Sequence, residues 1–332
     1  MKTEYANRFR ATAVGVLMFV VAGVAHPQSL RAKKASAQPP SADQRSTVES
    51  ADHVVVNTNL ITLTVTVTDP QGRYVPGLEK GDFAVLDDKS PQDITMFGDE
   101  DAPLSIAVVV DASGSMSGEK IERAKEALAH FIQTSNERDE YTLISFNSHA
   151  SDLLDKTRDA DAILAKFTYA QPHGNTAIYD AVYLGLERLE RGTHPKRAIL
   201  LISDGEDNSS RYTLKELRRR LQESDVVIYT IGIIGNKSPK EALLSPGPDI
   251  LRNLASVSGG KAFFPGNGME LDEAFERIAL ELRHQYSISY RPSNFVADGR
   301  WHRLKVKVQP REDVPHPSTR SRPGYYASAG LR

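Results

Sequence analysis

Leu104-Ser105-Ile106-Ala107-Val108-Val109-Val110-Asp111-Ala112-Ser113-Gly114-Ser115-Met116 reads as a buried strand running into an oxygen-rich loop. From Leu104 to Val110 the residues are nearly all apolar, without the alternation of a strand wetted on one side. Such a run is expected of a strand covered on both faces in a parallel sheet. Asp111, Ser113 and Ser115 then put a carboxylate and two hydroxyls on one short loop, and Gly114 lets that loop curl with no side chain in the way. Ile121, Ala124, Leu128 and Phe131-Ile132 follow at helical spacing. Ligands in open α/β sheets bind beyond the carboxyl ends of strands, so this loop is a candidate site.

The same rhythm continues toward the C-terminus. Strand-like Tyr141 to Phe146 precedes a helix from Ala160 to Phe167, and a helix from Ala177 to Leu189 precedes the apolar strand Ala198 to Ile202. Thr213 and Glu216 form a capping-box signature opening a helix with Leu214, Leu217 and Leu221. Val226 to Ile231 is another buried strand. Leu271, Ala274, Phe275, Ile278 and Leu282 line one face of a last helix. Alternating strands and helices from about 103 to 284 predict a doubly wound α/β domain with a mostly parallel sheet.

All-β pieces flank it. Leu63, Val65 and Val67 alternate with threonines in a half-buried strand, and Asp69-Pro70-Gln71-Gly72 is a turn. Phe83 to Leu86 and Ile94 to Phe97 are short strands. Residues 53–102 form a small β module with too little core to stand alone. In 285–332, Tyr286 to Tyr290 and Leu304 to Val308 again alternate, which predicts that the two ends pair into one module with the α/β domain inserted between them.

Further upstream, Lys2, Arg8 and Arg10 precede an apolar run from Ala11 to Ala25 that ends in small residues. This pattern predicts a secretory signal over 1–25 and an exported protein, periplasmic or secreted, with an uncleaved membrane anchor as the alternative. Residues 26–52, rich in Ser, Ala, Gln, Pro and charge, read as a linker. The 332 residues carry a net charge near −2, which offers no overall basic field for nucleic acid. They include no cysteine, which excludes disulfides, thiolate nucleophiles and cysteine-based zinc sites.

Asp-x-Ser-x-Ser alone recurs by chance in roughly one chain in ten of this length. Here it lies between a buried strand and an amphipathic helix, and two more oxygen donors occupy equivalent places: Gly174-Asn175-Thr176 opens a helix and Ser203-Asp204-Gly205 ends a strand. With these residues the chain resembles the von Willebrand factor A domains that carry a metal-ion-dependent adhesion site, whose Asp-x-Ser-x-Ser, Thr and Asp occur in this order. Asn175 departs from the pattern, a second glycine being more usual there; asparagine tolerates a left-handed backbone. Val75-Pro76-Gly77-Leu78, Asp82-Phe83-Ala84-Val85-Leu86 and Arg322-Pro323-Gly324-Tyr325-Tyr326 are similar to the flanks of related proteins from soil bacteria such as Acidobacteria.

The resemblance implies a metal held by Asp111, Ser113, Ser115, Thr176 and Asp204, with the serines binding directly, the aspartates partly through water, and Thr176 joining when a ligand engages. All-oxygen donors favour a hard cation, Mg²⁺ with Ca²⁺ or Mn²⁺ as alternatives. The open coordination position would take an Asp or Glu carboxylate of a protein partner. Asp180, Glu206 and Asp207, nearby in sequence, read as exposed acidic loop residues, and Pro239 to Pro248 as a loop over the sheet edge.

Two rival readings remain: a scaffold whose partner surface ignores the metal, and a hydrolase. The hydrolase pattern is poor. Ser113 stands where a phosphatase would carry a second aspartate, and Gly114-Ser115-Met116-Ser117-Gly118 has methionine at the nucleophile position. His149 and His173 near the same edge read as solvated loop residues, so no residue is assigned to catalysis.

Overall fold

The computed structural model describes residues 59–327 apart from 100–101, 134–135, 169–170, 234–245 and 313. The segments read as signal (1–25) and linker (26–52) lie outside the described residues. Among the described residues, no helix is long and apolar enough to cross a membrane.

A six-stranded sheet organises the centre of the chain. Its strands are β5 (Leu104–Asp111), β6 (Glu140–Phe146), β7 (Ala150–Thr157), β8 (Lys196–Ser203), β9 (Val227–Gly232) and β10 (Ala262–Phe263), in the order β10-β9-β8-β5-β6-β7. All neighbours are parallel except β6 and β7. The six described helices are α1 (Glu119–Gln133), α2 (Ala160–Thr168), α3 (Ile178–Glu190), α4 (Leu214–Gln222), α5 (Gly247–Ser258) and α6 (Gly268–Arg283). They cover both faces. Along β5, Leu104, Ile106, Val108 and Val110 enter one core with Ile121, Ala124 and Leu128 of α1 and Phe275 and Ile278 of α6. Ala107 and Val109 enter the other, with Ala181, Val182 and Leu186 of α3, Leu217 of α4 and Leu251 of α5. Successive strand side chains point to opposite faces, so a strand buried on both sides must be apolar at successive positions, as this one is from Ile106 to Val110.

The doubly wound sheet agrees with the sequence reading. Three elements lie outside that reading: the short edge strand β10, the helix α5 and the strand β7. Gly247 and Pro248, read as loop, are buried in the first turn of α5. Proline is well suited to a helix start because its missing N–H would have no intrahelical partner there. Residues 239–245 lie outside the described residues. The edge strand β7 has no apolar alternation, being held chiefly by backbone pairing to β6.

The chain's flanks build two antiparallel sheets. One has the order β13-β1-β11-β4, from β1 (Ile61–Thr68), β4 (Ile94–Gly98), β11 (Tyr286–Tyr290) and β13 (Ser318–Arg320). The other has the order β14-β12-β2-β3, from β2 (Phe83–Asp87), β3 (Ser90–Gln92), β12 (Trp301–Val308) and β14 (Gly324–Tyr326). Leu63, Val65, Ile288 and Tyr290 from the first share a core with Phe83, Val85, Leu304 and Val306 from the second. Leu63 registers with Ile288, and Val85 with Val306, so strands before and after the α/β domain are direct neighbours.

Candidate metal site at the carboxyl edge of the sheet

The chain leaves β5 for β6 on one side and returns to β8 on the other, so the carboxyl ends of β5 and β8 flank the switch in strand order. Asp111 is the last residue of β5, and Asp204 follows the last residue of β8. Ser113 and Ser115 lie in the loop after β5, where Gly114–Met116 forms a single 3-10 turn. Thr176 precedes α3. Asp111, Ser113, Thr176 and Asp204 are buried, whereas Ser115 is exposed.

Hydrogen bonds hold these loops as a unit. The Ser113 amide donates to Asp111 Oδ1 at 2.9 Å, and the Ser113 and Ser115 hydroxyls are 3.0 Å apart. Ser203 Oγ donates to Asp111 Oδ2 at 2.5 Å, tying the end of β8 to the end of β5. The Gly114 amide donates to the Gly174 carbonyl, which joins the serine loop to the Thr176 loop. The Thr176 amide in turn donates to Asn208 Oδ1 at 2.8 Å.

Two glycines permit the close approaches. Gly205 has φ +86, and a Cβ there would meet the Gly247 carbonyl oxygen at 2.3 Å. A Cβ on Gly247 would meet the Asp204 carbonyl oxygen at the same distance. The Asp204 loop therefore rests backbone to backbone on the start of α5. Asn175 is not among the residues with positive φ, and its amide donates to Ser148 Oγ. The left-handed position is Gly174, at φ +75. Asn175 thus stands in place of the more usual glycine without drawing on a left-handed conformation.

Burial pushes the Asp111 carboxyl up to about 6. Hydrogen bonds from Ser113 and Ser203 act against that rise, and the nearby Asp204 charge adds to it. Asp204 itself has one oxygen in an ion pair, Oδ2 with Lys120 Nζ at 2.8 Å. Its other oxygen, Oδ1, is buried without a hydrogen-bond partner among the described residues. Two buried carboxylates with hydroxyls beside them form a hard, electron-rich donor set, and an orphaned carboxylate oxygen at that point fits a divalent cation.

Ser203, Lys120 and Asn208 contribute to this geometry, and Lys120 and Asn208 carry no signal in the local sequence. Only Ser203 stood out by position, as the strand residue before Asp204. Asp180 is corrected: it is buried, pairs with Arg211 and accepts the Arg211 and Tyr212 amides. Asp207, partly buried, accepts the Ile178 amide and the Ser210 hydroxyl. Both brace the loop ahead of α4. His173 is engaged by Asn147 and the Gln171 carbonyl.

Fold and site together define a doubly wound α/β domain with an oxygen cluster at its switch point. The chain belongs to the von Willebrand factor type A domain family, whose model matches residues 105–277. It is 25% identical over 214 residues to the inter-alpha-trypsin inhibitor heavy chain H4 of Sus scrofa, a match covering 59% of this chain and 22% of that protein. It is 30% identical over 184 residues to an uncharacterized protein of Synechocystis, covering 54% of this chain and 42% of the other. The chain thus spans less than half the length of these relatives. Among solved structures it is similar to a von Willebrand factor type A protein from Catenulispora acidiphila, at 14% identity and a TM-score of 0.47, over 83% of this chain and 74% of that one.

Proposed function

We propose that the protein is an exported, non-enzymatic binding module that engages a protein partner through a divalent cation held by Asp111, Ser113, Ser115, Thr176 and Asp204. Membership of a family whose domains generally mediate protein–protein interaction supports the binding role. The orphaned Asp204 Oδ1 carries the metal reading, because a buried carboxylate oxygen without a donor asks for a cation. Mg²⁺ suits five oxygen donors, and Ca²⁺ and Mn²⁺ share that preference. When bound, the ion supplies a Lewis-acidic position that accepts an Asp or Glu carboxylate from the partner. This chain's residues orient the donors: Ser203 and the Ser113 amide fix Asp111, and the contact with Gly247 fixes the Asp204 loop. Export rests on the N-terminal basic and apolar segment.

Isothermal calorimetry with Mg²⁺, Ca²⁺ and Mn²⁺, on the wild type and Asp111→Ala, tests the reading. One-site binding that disappears in the variant is expected. A wild type that shows no saturation up to tens of millimolar metal would instead favour a scaffold with a metal-independent partner surface.

A further inference from the structure

In the β sandwich, Asp87 closes β2, Asp88 begins the turn to β3, and His302 lies on β12 beside them. Among the described residues this is the only group of three or more His, Asp or Glu side chains whose ligand atoms all lie within 4.8 Å of one another. We propose that Asp87, Asp88 and His302 form a second metal site, independent of the sheet-edge site, that binds Zn²⁺ or a similar first-row divalent ion.

The supporting geometry leaves one donor atom per residue. Asp87 Oδ2 accepts hydrogen bonds from the Tyr290 and Tyr325 hydroxyls at 2.8 and 2.9 Å. Its Oδ1 is buried without a hydrogen-bond partner among the described residues, on a residue only 6% exposed. Asp88 Oδ1 accepts the Arg303 amide at 2.9 Å, which leaves Oδ2 for a ligand. Asp88 and Lys89 both take positive φ in the turn. His302 stacks on Tyr325, with ring centroids 5.2 Å apart and planes 19° from parallel. Its Nδ1 lies 3.0 Å from Asp88 Oδ2 and 3.7 Å from Asp87 Oδ1.

Tetrahedral zinc with bonds near 2.0–2.1 Å separates its ligand atoms by about 3.3 Å, a value these two distances bracket. Two carboxylates neutralise a divalent charge, and one imidazole among oxygens favours Zn²⁺ or Mn²⁺ over Mg²⁺. Ligands oriented by a second layer of hydrogen bonds are typical of built metal sites, and the two phenols supply that layer for Asp87. Asp88, with its side chain about half exposed, leaves the site open to solvent.

The rival is a plain histidine–carboxylate ion pair, and calorimetry on the full chain separates the two. Zn²⁺ is titrated in saturating Mg²⁺ into wild type, Asp111→Ala, Asp88→Asn and His302→Phe. One Zn²⁺ site is expected in the wild type, retained in Asp111→Ala, and weakened at least tenfold in the other two. Asparagine tolerates the positive φ at position 88 and keeps an oxygen for the Arg303 amide, and phenylalanine keeps the stack on Tyr325. Metal-free thermal midpoints close to wild type would therefore show that both variants fold. If either variant misfolds, Co²⁺ added to the wild type decides the matter: a visible d–d absorption that Zn²⁺ displaces supports the site, and its absence overturns it. Absence of saturable Zn²⁺ or Mn²⁺ binding, or binding lost only in Asp111→Ala, overturns it as well.

Discussion

Asp204 presents its two oxygens to different neighbours. Oδ2 pairs with the Lys120 ammonium at 2.8 Å, and Oδ1 is buried without a donor among the described residues. A lysine so placed is a tethered cation that competes with any metal for the same carboxylate. Removing one partner of a mostly buried pair leaves an uncompensated charge, which strengthens the pull on any other cation that reaches Asp204. Lys120→Met should therefore raise Mg²⁺ affinity by at least about fivefold, roughly 1 kcal/mol, by calorimetry. Unchanged or weaker binding would show instead that Lys120 supports the donor geometry.

At the scale of elements, the two ends of the sheet are held by different means. At the amino ends of β5 and β6, Glu140 Oε1 accepts the Ser105 hydroxyl and the Thr193 amide, each at 2.6 Å, and Oε2 accepts the Thr193 hydroxyl at 2.7 Å. Burial pushes the Glu140 carboxyl up, but these bonds and the nearby His194 outweigh it and hold it down to about 2, below its ordinary 4.5. A folded value lower than the unfolded one stabilises the protein above pH 4.5, and the contribution fades as pH falls from there toward 2. Urea midpoints measured against pH should show wild type above Glu140→Gln by a constant margin at neutral pH, with the gap closing between pH 4.5 and 2. A gap that does not narrow would mean the charge on Glu140 is not what the bonds require. At the carboxyl end, the loop after β8 meets the start of α5 backbone to backbone. Gly247→Ala would put a methyl 2.3 Å from the Asp204 carbonyl oxygen, so the loop must move. We expect that variant to lose stability by about 1–3 kcal/mol, as overpacking does, and to bind Mg²⁺ more weakly. A variant with wild-type affinity would separate loop position from metal binding.

For the whole molecule, the sandwich and the α/β domain are joined by two arginines, buried Arg322 and half-buried Arg320. Arg322 donates to the Thr62 carbonyl of β1 at 2.8 Å and to the Ser224 carbonyl, and pairs with Asp225 ahead of β9. Arg320 of β13 pairs with buried Glu281 of α6. Arg322→Ala leaves two carbonyls without this donor and should cost about 1–3 kcal/mol in chemical denaturation. A chain ending at residue 284 loses β11 and β12, the neighbours of β1 and β2. It exposes Ile61, Leu63 and Val65, all nearly inaccessible in the intact protein. We expect it to aggregate or to unfold without a cooperative transition; a sharp transition at the wild-type midpoint would show that the α/β domain is self-sufficient.

Periodicity alone determined the α/β class, because a strand buried on both faces and a helix buried on one leave distinct spacings in the chain. The order of Asp111, Ser113, Ser115, Thr176 and Asp204 was equally visible, since each lies at the end of a strand or the start of a helix. Only the tertiary structure decided the rest. β7 is an edge strand carrying Asp152, Asp155 and Lys156, and backbone pairing writes no side-chain pattern. α5 opens on Gly-Pro, which resembles a turn until the packing of Leu251 and Leu254 is seen. Lys120 meets Asp204 across 84 residues, and His302 meets Asp88 across 214. Such pairs follow from the register of strands distant in sequence, which is set by long-range backbone hydrogen bonding and shared core packing.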